Sequence, residues 1–213
     1  MKILYEDQDI IAVHKNSGLA TQTSKIGEKD LYSEVKNYLK GGYAGIINRL
    51  DQPVEGVVIF AKNKKSAGML EEQIKHGDTN KFYHATVYVP NEKKLLTNDA
   101  VSLENYMRKK VGTNLSEICG KEDKDAKLAK LEYIVMSTNQ GSAKLDIHLL
   151  TGRHHQIRLQ LSNSGFPILG DLKYGTEESI SYSKDNGIKS VALCAYRYEF
   201  IHPSTNKKMS ISI

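Results

Sequence analysis

The run Val57-Val58-Ile59-Phe60-Ala61, opened by Gly56 and closed by Lys62, constrains the fold of this chain more than any other stretch. Five successive apolar residues, three of them β-branched, read as a buried strand. The run is far short of the ~20 residues that span a membrane, so the rest of the chain must bury it. Other strands follow from the same logic. Ile3-Leu4-Tyr5, the polar turn Glu6-Asp7-Gln8-Asp9 and Ile10 to His14 read as strand, turn and strand. Phe82 to Val89 alternates, with Tyr83, Ala85, Val87 and Val89 on one face. Leu131 to Ser137 and Ala143 to Leu150 flank Asn139-Gln140-Gly141 as a hairpin, and Val191 to Ile201 and Met209 to Ile213 add two strands.

Two helices are expected in the first half of the chain. Asp30 can cap one in which Leu31, Val35 and Leu39 share a face and Gly41-Gly42 marks the end. Ala67, Leu70 and Ile74 make a second, with Gly77 past its end. Residues 90–130, highly charged around Lys121-Glu122-Asp123-Lys124-Asp125, read as a solvated loop between strands. Strands outnumber helices and several are joined as hairpins. The expected class is therefore α+β, a mixed and largely antiparallel sheet with flanking helices. No linker or repeat divides the chain, so residues 1–213 read as a single domain.

Composition excludes little. Thirty basic and 25 acidic residues give +5, which permits a polyanionic partner without requiring one. Cys119 and Cys194 share no metal-ligand spacing and are expected to be neutral thiols. The start turns acidic at Glu6-Asp7 before a signal-peptide core can form. A cytoplasmic enzyme or binding protein, without membrane attachment, is the expectation.

Two segments could carry chemistry. Asp51, in Leu50-Asp51-Gln52-Pro53, reads first as a turn former or helix cap. Arg49 two positions before it and the strand after Gly56 favour a functional loop fixed by the core. The second segment is Thr151-Gly152-Arg153-His154-His155-Gln156-Ile157-Arg158. It reads as a surface helix capped by Thr151, with Ile157 and Leu161 toward the core, His155 and Arg158 on one face, and Arg153 free to meet solvent or phosphate. His154 and His155 are adjacent and make a poor metal pair, and no phosphate loop, dinucleotide fingerprint or serine elbow is present. Tyr83 is a third candidate, since aromatic faces stack on nucleobases, although any one of twelve tyrosines can equally be core packing.

At these residues the chain resembles the RluA family of RNA pseudouridine synthases. Arg49-Leu50-Asp51 through Lys62 resembles its catalytic motif, Lys81-Phe82-Tyr83-His84-Ala85 its tyrosine strand and Thr151 to Arg158 its third motif. Ile3 to Lys15, Asn16-Ser17-Gly18-Leu19 and Gly165 to Gly175 resemble the opening hairpin, its turn and the segment after the third motif. The resemblance implies the pseudouridine synthase fold and isomerisation of specific uridines in structured ribosomal or transfer RNA. It assigns Asp51 as the catalytic carboxylate, Arg158 as its partner, Tyr83 as the ring on the target base and Arg49 as the residue entering the RNA. Arg49, Arg153, His155 and Gln156 form the expected RNA-binding set. No cofactor or metal is expected, and the protein is expected to act as a monomer. Target selection would rest on this catalytic domain or a partner, because no separate RNA-binding domain precedes the resemblance. Asn48 stands where the family usually has His, and Val54-Glu55 where it has Thr-Ser, which puts a negative charge beside the RNA-facing loop. The competing reading from another class is a catalytically silent RNA-binding or chaperone module. A nucleoside glycosidase is disfavoured because no second positioned carboxylate is evident.

Overall fold

Asp7 makes the first turn of the chain. Its Oδ1 accepts from the N–H groups of Asp9 and Ile10 at 2.8 and 2.9 Å, folding β1, Lys2–Glu6, antiparallel onto β2, Ile10–Lys15. The computed structural model describes residues 1–23, 25, 27–90 and 99–213. They form two units, Met1–Lys81 with Cys194–Ile213, and Phe82–Leu193.

In the first unit Asp30 caps α1, Leu31–Tyr38, through a 2.7 Å bond from Ser33 N–H, and Leu31 and Val35 are buried as expected. The short β3, Gly45–Ile46, lies along β4, Glu55–Ala61, and β4 pairs antiparallel with β2. Asn63 caps α2, Lys64–His76, which stops at Gly77 in the left-handed conformation. The C-terminal strands β10, Leu193–Ile201, and β11, Lys208–Ser212, complete the unit. β10 runs parallel to β4, and β11 pairs antiparallel with β10. The apolar run does what its composition demands: Val57 to Ala61 are all essentially inaccessible. Ile59 and Ala61 pack with Ile10, Ala12, Leu70 and Phe200. Burying each large side chain stabilises by about 1.5–3 kcal/mol.

The second unit is an antiparallel sheet. Its order is β5, Asn80–Tyr88, then β9, Ser142–Leu149, β8, Lys127–Asn139, β6, Val101–Lys109, and β7, Ser116–Cys119. The 139–141 turn is a hairpin turn with Gly141 at positive φ. Two helices follow, α3, Gln156–Asn163, and α4, Glu177–Asp185. β6 and β7 correct the expectation of a loop over 90–130. Both strands are half-exposed, so polar residues interrupt their alternation and hide the strand period. Lys121 to Asp125 is indeed an exposed turn, and residues 91–98 lie outside the described residues. α4, with Thr176 as its cap, was not foreseen. No helix among the described residues is long and apolar enough to cross a membrane.

Candidate active site

In the first unit the loop carrying Asp51 is tied down on both sides. Before it, Asn48 imitates a strand residue: its Nδ2 donates to the Val57 carbonyl at 3.0 Å and its Oδ1 accepts from Ile59 N–H at 2.8 Å. These two bonds tie the loop to β4. Thr21, buried, brackets the Leu50 peptide. Its Oγ1 donates to the Leu50 carbonyl at 2.9 Å and accepts from the Leu50 N–H at 3.1 Å. After Asp51, the Gln52 carbonyl accepts from Gly18 N–H at 2.9 Å and from Lys15 Nζ at 3.1 Å, and Ser17 Oγ donates to the Pro53 carbonyl at 2.7 Å. Val54 N–H closes the turn onto the Asp51 carbonyl at 3.0 Å. Asp51 itself is half-buried, while Arg49 and Glu55 are exposed.

Lys15 is the unexpected member of this group. It is 0% exposed, and its ammonium also donates to the carbonyls of Asn16 and Leu19. Burial pushes its pKa down to about 8, while the negative charges of Asp51 and Glu55 hold it up. A buried cation thus balances the carboxylate charge of the loop while pinning its backbone. Gly56 is required for a different reason. Its φ is +139°, and a Cβ there would sit 2.4 Å from the Ala195 carbonyl on β10.

In the second unit the Thr151–Arg158 segment departs from its expected form. The helix begins at Gln156, with His155 in the left-handed conformation before it, so Thr151 is not the cap and Arg153 precedes the helix. The stretch is non-helical because Gln156 is turned inward to brace it. Its Oε1 accepts from Thr151 Oγ1 at 2.8 Å and Arg153 N–H at 3.0 Å, and its Nε2 donates to the Lys130 carbonyl and Gln160 Oε1. Gln156, one of the residues expected at RNA, is 3% exposed and holds the loop. His155, also expected at RNA, is buried, with Nδ1 2.8 Å from the Tyr174 hydroxyl. Arg153 is exposed and donates from Nε to the Leu128 carbonyl at 2.9 Å. Ile157 and Leu161 face the core as expected.

Arg158 forms a buried two-pronged pair with Asp171, Nε to Oδ2 at 2.7 Å and Nη2 to Oδ1 at 2.8 Å. Its guanidinium also lies 5.3 Å over the Tyr174 ring. Burial pushes the Asp171 carboxyl up. The hydrogen bond and charge of Arg158, with the N–H groups of Lys173 and Tyr174, more than reverse that and leave it below the usual value. Tyr83 is buried on β5, on the same face as Ala85 and Val87.

Asp7, Asp9 and His202 offer three ligand atoms within 4.8 Å of one another, in the first unit. The hydrogen bonds argue against a metal role. His202 Nδ1 accepts from the N–H groups of Ser204 and Thr205, which leaves the ring proton on Nε2, 2.7 Å from Asp7 Oδ2. Hydrogen bonds from Ser204, Ser66 and Asn63 lower the Asp9 carboxyl pKa to about 2. The cluster is a structural knot at the β1–β2 turn.

The candidate residues therefore divide by unit. Arg49 and Asp51 belong to the first, and Tyr83, Arg153, His155, Gln156 and Arg158 to the second. Sequence reasoning missed Lys15, Thr21, Asp171 and Tyr174. Lys15 and Asp171 did lie inside segments with family resemblance, but pairing through backbone carbonyls and across a fold leaves no local signal.

A family model for RNA pseudouridylate synthase matches residues 9–163. An uncharacterized RNA pseudouridine synthase of Mycoplasma pneumoniae is 31% identical over 98% of this chain, which spans 65% of that relative's length. The dual-specificity RNA pseudouridine synthase RluA of Vibrio parahaemolyticus is 29% identical over 99% of this chain and 82% of its own. Among solved structures, human RNA pseudouridylate synthase domain containing 1 superposes over the whole chain and 82% of its own with a TM-score of 0.78 at 20% identity, which speaks for the fold. On the strength of the family model's match over residues 9–163, most of its length, the chain belongs to the RNA pseudouridylate synthase family.

Proposed function

We propose that this protein isomerises specific uridines of structured RNA to pseudouridine, with Asp51 as the catalytic carboxylate. The observation that carries the reading is the bracing of the Asp51 loop: Thr21, Lys15, Gly18 and Ser17 fix the backbone on both sides of that one half-buried acid. A turn former needs no such support, whereas a group that must meet a reacting atom does.

Pseudouridine formation breaks the uracil N1–C1′ bond, turns the base and joins C1′ to C5. The proton lost from C5 is matched by one gained at N1, so the reaction has no net oxidant, reductant or water. The target nucleotide must first leave its stack, at roughly a few kcal/mol. Arg49, exposed beside the loop, is suited to contact phosphate and fill the vacated space. Asp51 then faces a sugar developing positive charge at C1′, as in glycoside cleavage. Arg158 is assigned as the partner that keeps Asp51 ionised and oriented, and Tyr83 as the ring against the base. The Asp171 pair holds the Arg158 fork in a fixed plane, which supports such a role. In this reading the two units serve as one catalytic domain over residues 1–213, monomeric and cytoplasmic. Its substrate is ribosomal or transfer RNA, and it needs no metal or cofactor.

Asp51→Asn tests the assignment, because it keeps the shape and removes the charge. Single-turnover conversion of RNA from cells lacking the gene should be abolished while RNA affinity stays within a few-fold. Wild-type conversion by a well-folded variant would end the catalytic assignment. If neither protein forms pseudouridine yet both bind RNA, the silent-module reading takes its place.

A further inference from the structure

The β6–β7 hairpin ends in Lys109-Lys110-Val111-Gly112-Thr113-Asn114, and every one of these residues is exposed. The tip is nonetheless held firmly to the segments around it. The Tyr174 hydroxyl accepts from Ser116 N–H at 2.7 Å, and the Ser116 hydroxyl donates to the His154 carbonyl at 2.8 Å. His154 Nδ1 lies 2.9 Å from Ser116 Oγ, and its Nε2 lies 3.1 Å from Asn114 Oδ1. Lys173 Nζ donates to the Asn114 carbonyl at 3.1 Å. The same Thr151–Arg158 segment that bears His154 also presents Arg153, bonded to Leu128 on the neighbouring strand.

Charge on this part of the unit is unbalanced. Arg108 is matched by Glu117, and Lys130 by Glu104. Lys109, Lys110, Lys127, Arg153 and Lys173 are exposed and, among the described residues, form no ion pair. Point charges of this kind suit phosphates met along a backbone, which position a nucleic acid without reading its sequence. Apolar exposure here is confined to Val111 and Leu172, too little for the buried anchors of a protein interface.

We propose that the β6–β7 hairpin and the Leu172-Lys173 turn form a rigid arm that grips the phosphodiester backbone of the RNA substrate. The Ser116–His154–Asn114 contacts are its joint with the Thr151–Arg158 segment. The proposal rests on the reading of the protein as an RNA-modifying enzyme, and it names where that RNA is held.

The full chain carrying K109A, K110A and K173A would be compared with wild type and with K64A/K65A on α2. The probe is a transcribed, unmodified transfer RNA titrated at several salt concentrations. The arm variant should bind at least about tenfold more weakly. Its slope of log affinity against log salt should flatten by about 2, given about 0.7–0.9 per lost phosphate contact. Conversion at saturating protein should persist, and the α2 variant should match wild type. K109E/K110E gives a second reading, with a larger loss of affinity. Unchanged affinity and slope in both arm variants would overturn the proposal. So would an arm effect confined to phosphatidylserine vesicles and absent with RNA. Binding and salt slope judge the arm, while pseudouridine formation by wild type judges the catalytic reading, so either can fail without the other.

Discussion

Lys15 reaches 37 positions along the chain to the carbonyl of Gln52, the residue that follows Asp51. A buried ammonium therefore sets the backbone next to the proposed catalytic acid. Lys15→Met should strand three carbonyls, those of Asn16, Leu19 and Gln52. An unsatisfied buried polar group costs about 1–3 kcal/mol, so melting should fall by many degrees and turnover should fall more than affinity. Thr21→Val should behave similarly but more mildly, through the Leu50 peptide. The pH dependence has a definite sign. Lys15 sits at about 8 in the folded protein against an ordinary 10.5. Below pH 8 both states hold the proton, and between those values only the unfolded chain does. The contribution of this group to stability therefore rises with pH in that window. The melting gap between wild type and Lys15→Met should widen from pH 8 to 10, and a narrowing gap would contradict the assignment.

Gly56 and Gly68 make a paired test of backbone demands. Gly56→Ala forces a Cβ against the Ala195 carbonyl at positive φ and should leave the protein insoluble or unfolded. Gly68 lies within α2 with nothing near its Cβ position. Gly68→Ala should stabilise by about 0.5–1 kcal/mol. Thermal melting and soluble yield distinguish the two, and equal tolerance would show that β4 and β10 are less tightly apposed than described.

Breaking the buried Arg158–Asp171 pair by Asp171→Asn should cost about 3–5 kcal/mol near neutral pH. Because the folded Asp171 carboxyl lies below its ordinary 3.8, its stabilising contribution is present above that value. It is lost as pH falls through the lower folded value. Melting of wild type and Asp171→Asn should differ near neutral pH, and the gap should shrink as pH falls below 3.8. A gap that stays constant with pH would mean the carboxylate charge is irrelevant to the pair.

Conversion of RNA should survive excess EDTA, with the fold of the RNA checked separately. The Asp7, Asp9 and His202 cluster is already saturated by Tyr5, Asn63, Ser66 and backbone N–H groups. Turnover lost to the chelator and restored by zinc or magnesium would refute the structural reading of that knot.

Much of the first unit was legible because its signals are local. The apolar run of β4, the Asp30 cap and the Gly77 stop each act within one turn or strand, and all three lie where the residues placed them. β6 and β7 were not legible, since half-exposed strands carry enough charge to erase the period of two. The helix at the third motif was placed too early for a related reason. Gln156 competes for the Arg153 N–H and keeps residues 151–155 out of the helix. Of the candidate residues, Asp51 and Arg158 stood out by residue type. What braces them did not, because Thr21, Lys15 and Asp171 act through peptide groups and side chains distant in sequence.

The parallel pairing of β4 with β10 also sets a clock on biosynthesis. Gly56 is fitted against Ala195, and the second unit lies between them in the chain. At about 5–20 residues per second, roughly 140 residues of further translation take on the order of 7–28 s. Throughout that interval the Asp51 loop is attached to a strand whose Glu55–Gly56 end lacks its parallel partner, while Asn48 and β3 already satisfy the rest of that edge. The first unit is thus begun first and completed last, and a chain stalled before residue 194 would leave the Glu55–Gly56 end of β4 open to the first chaperone or neighbouring strand it met.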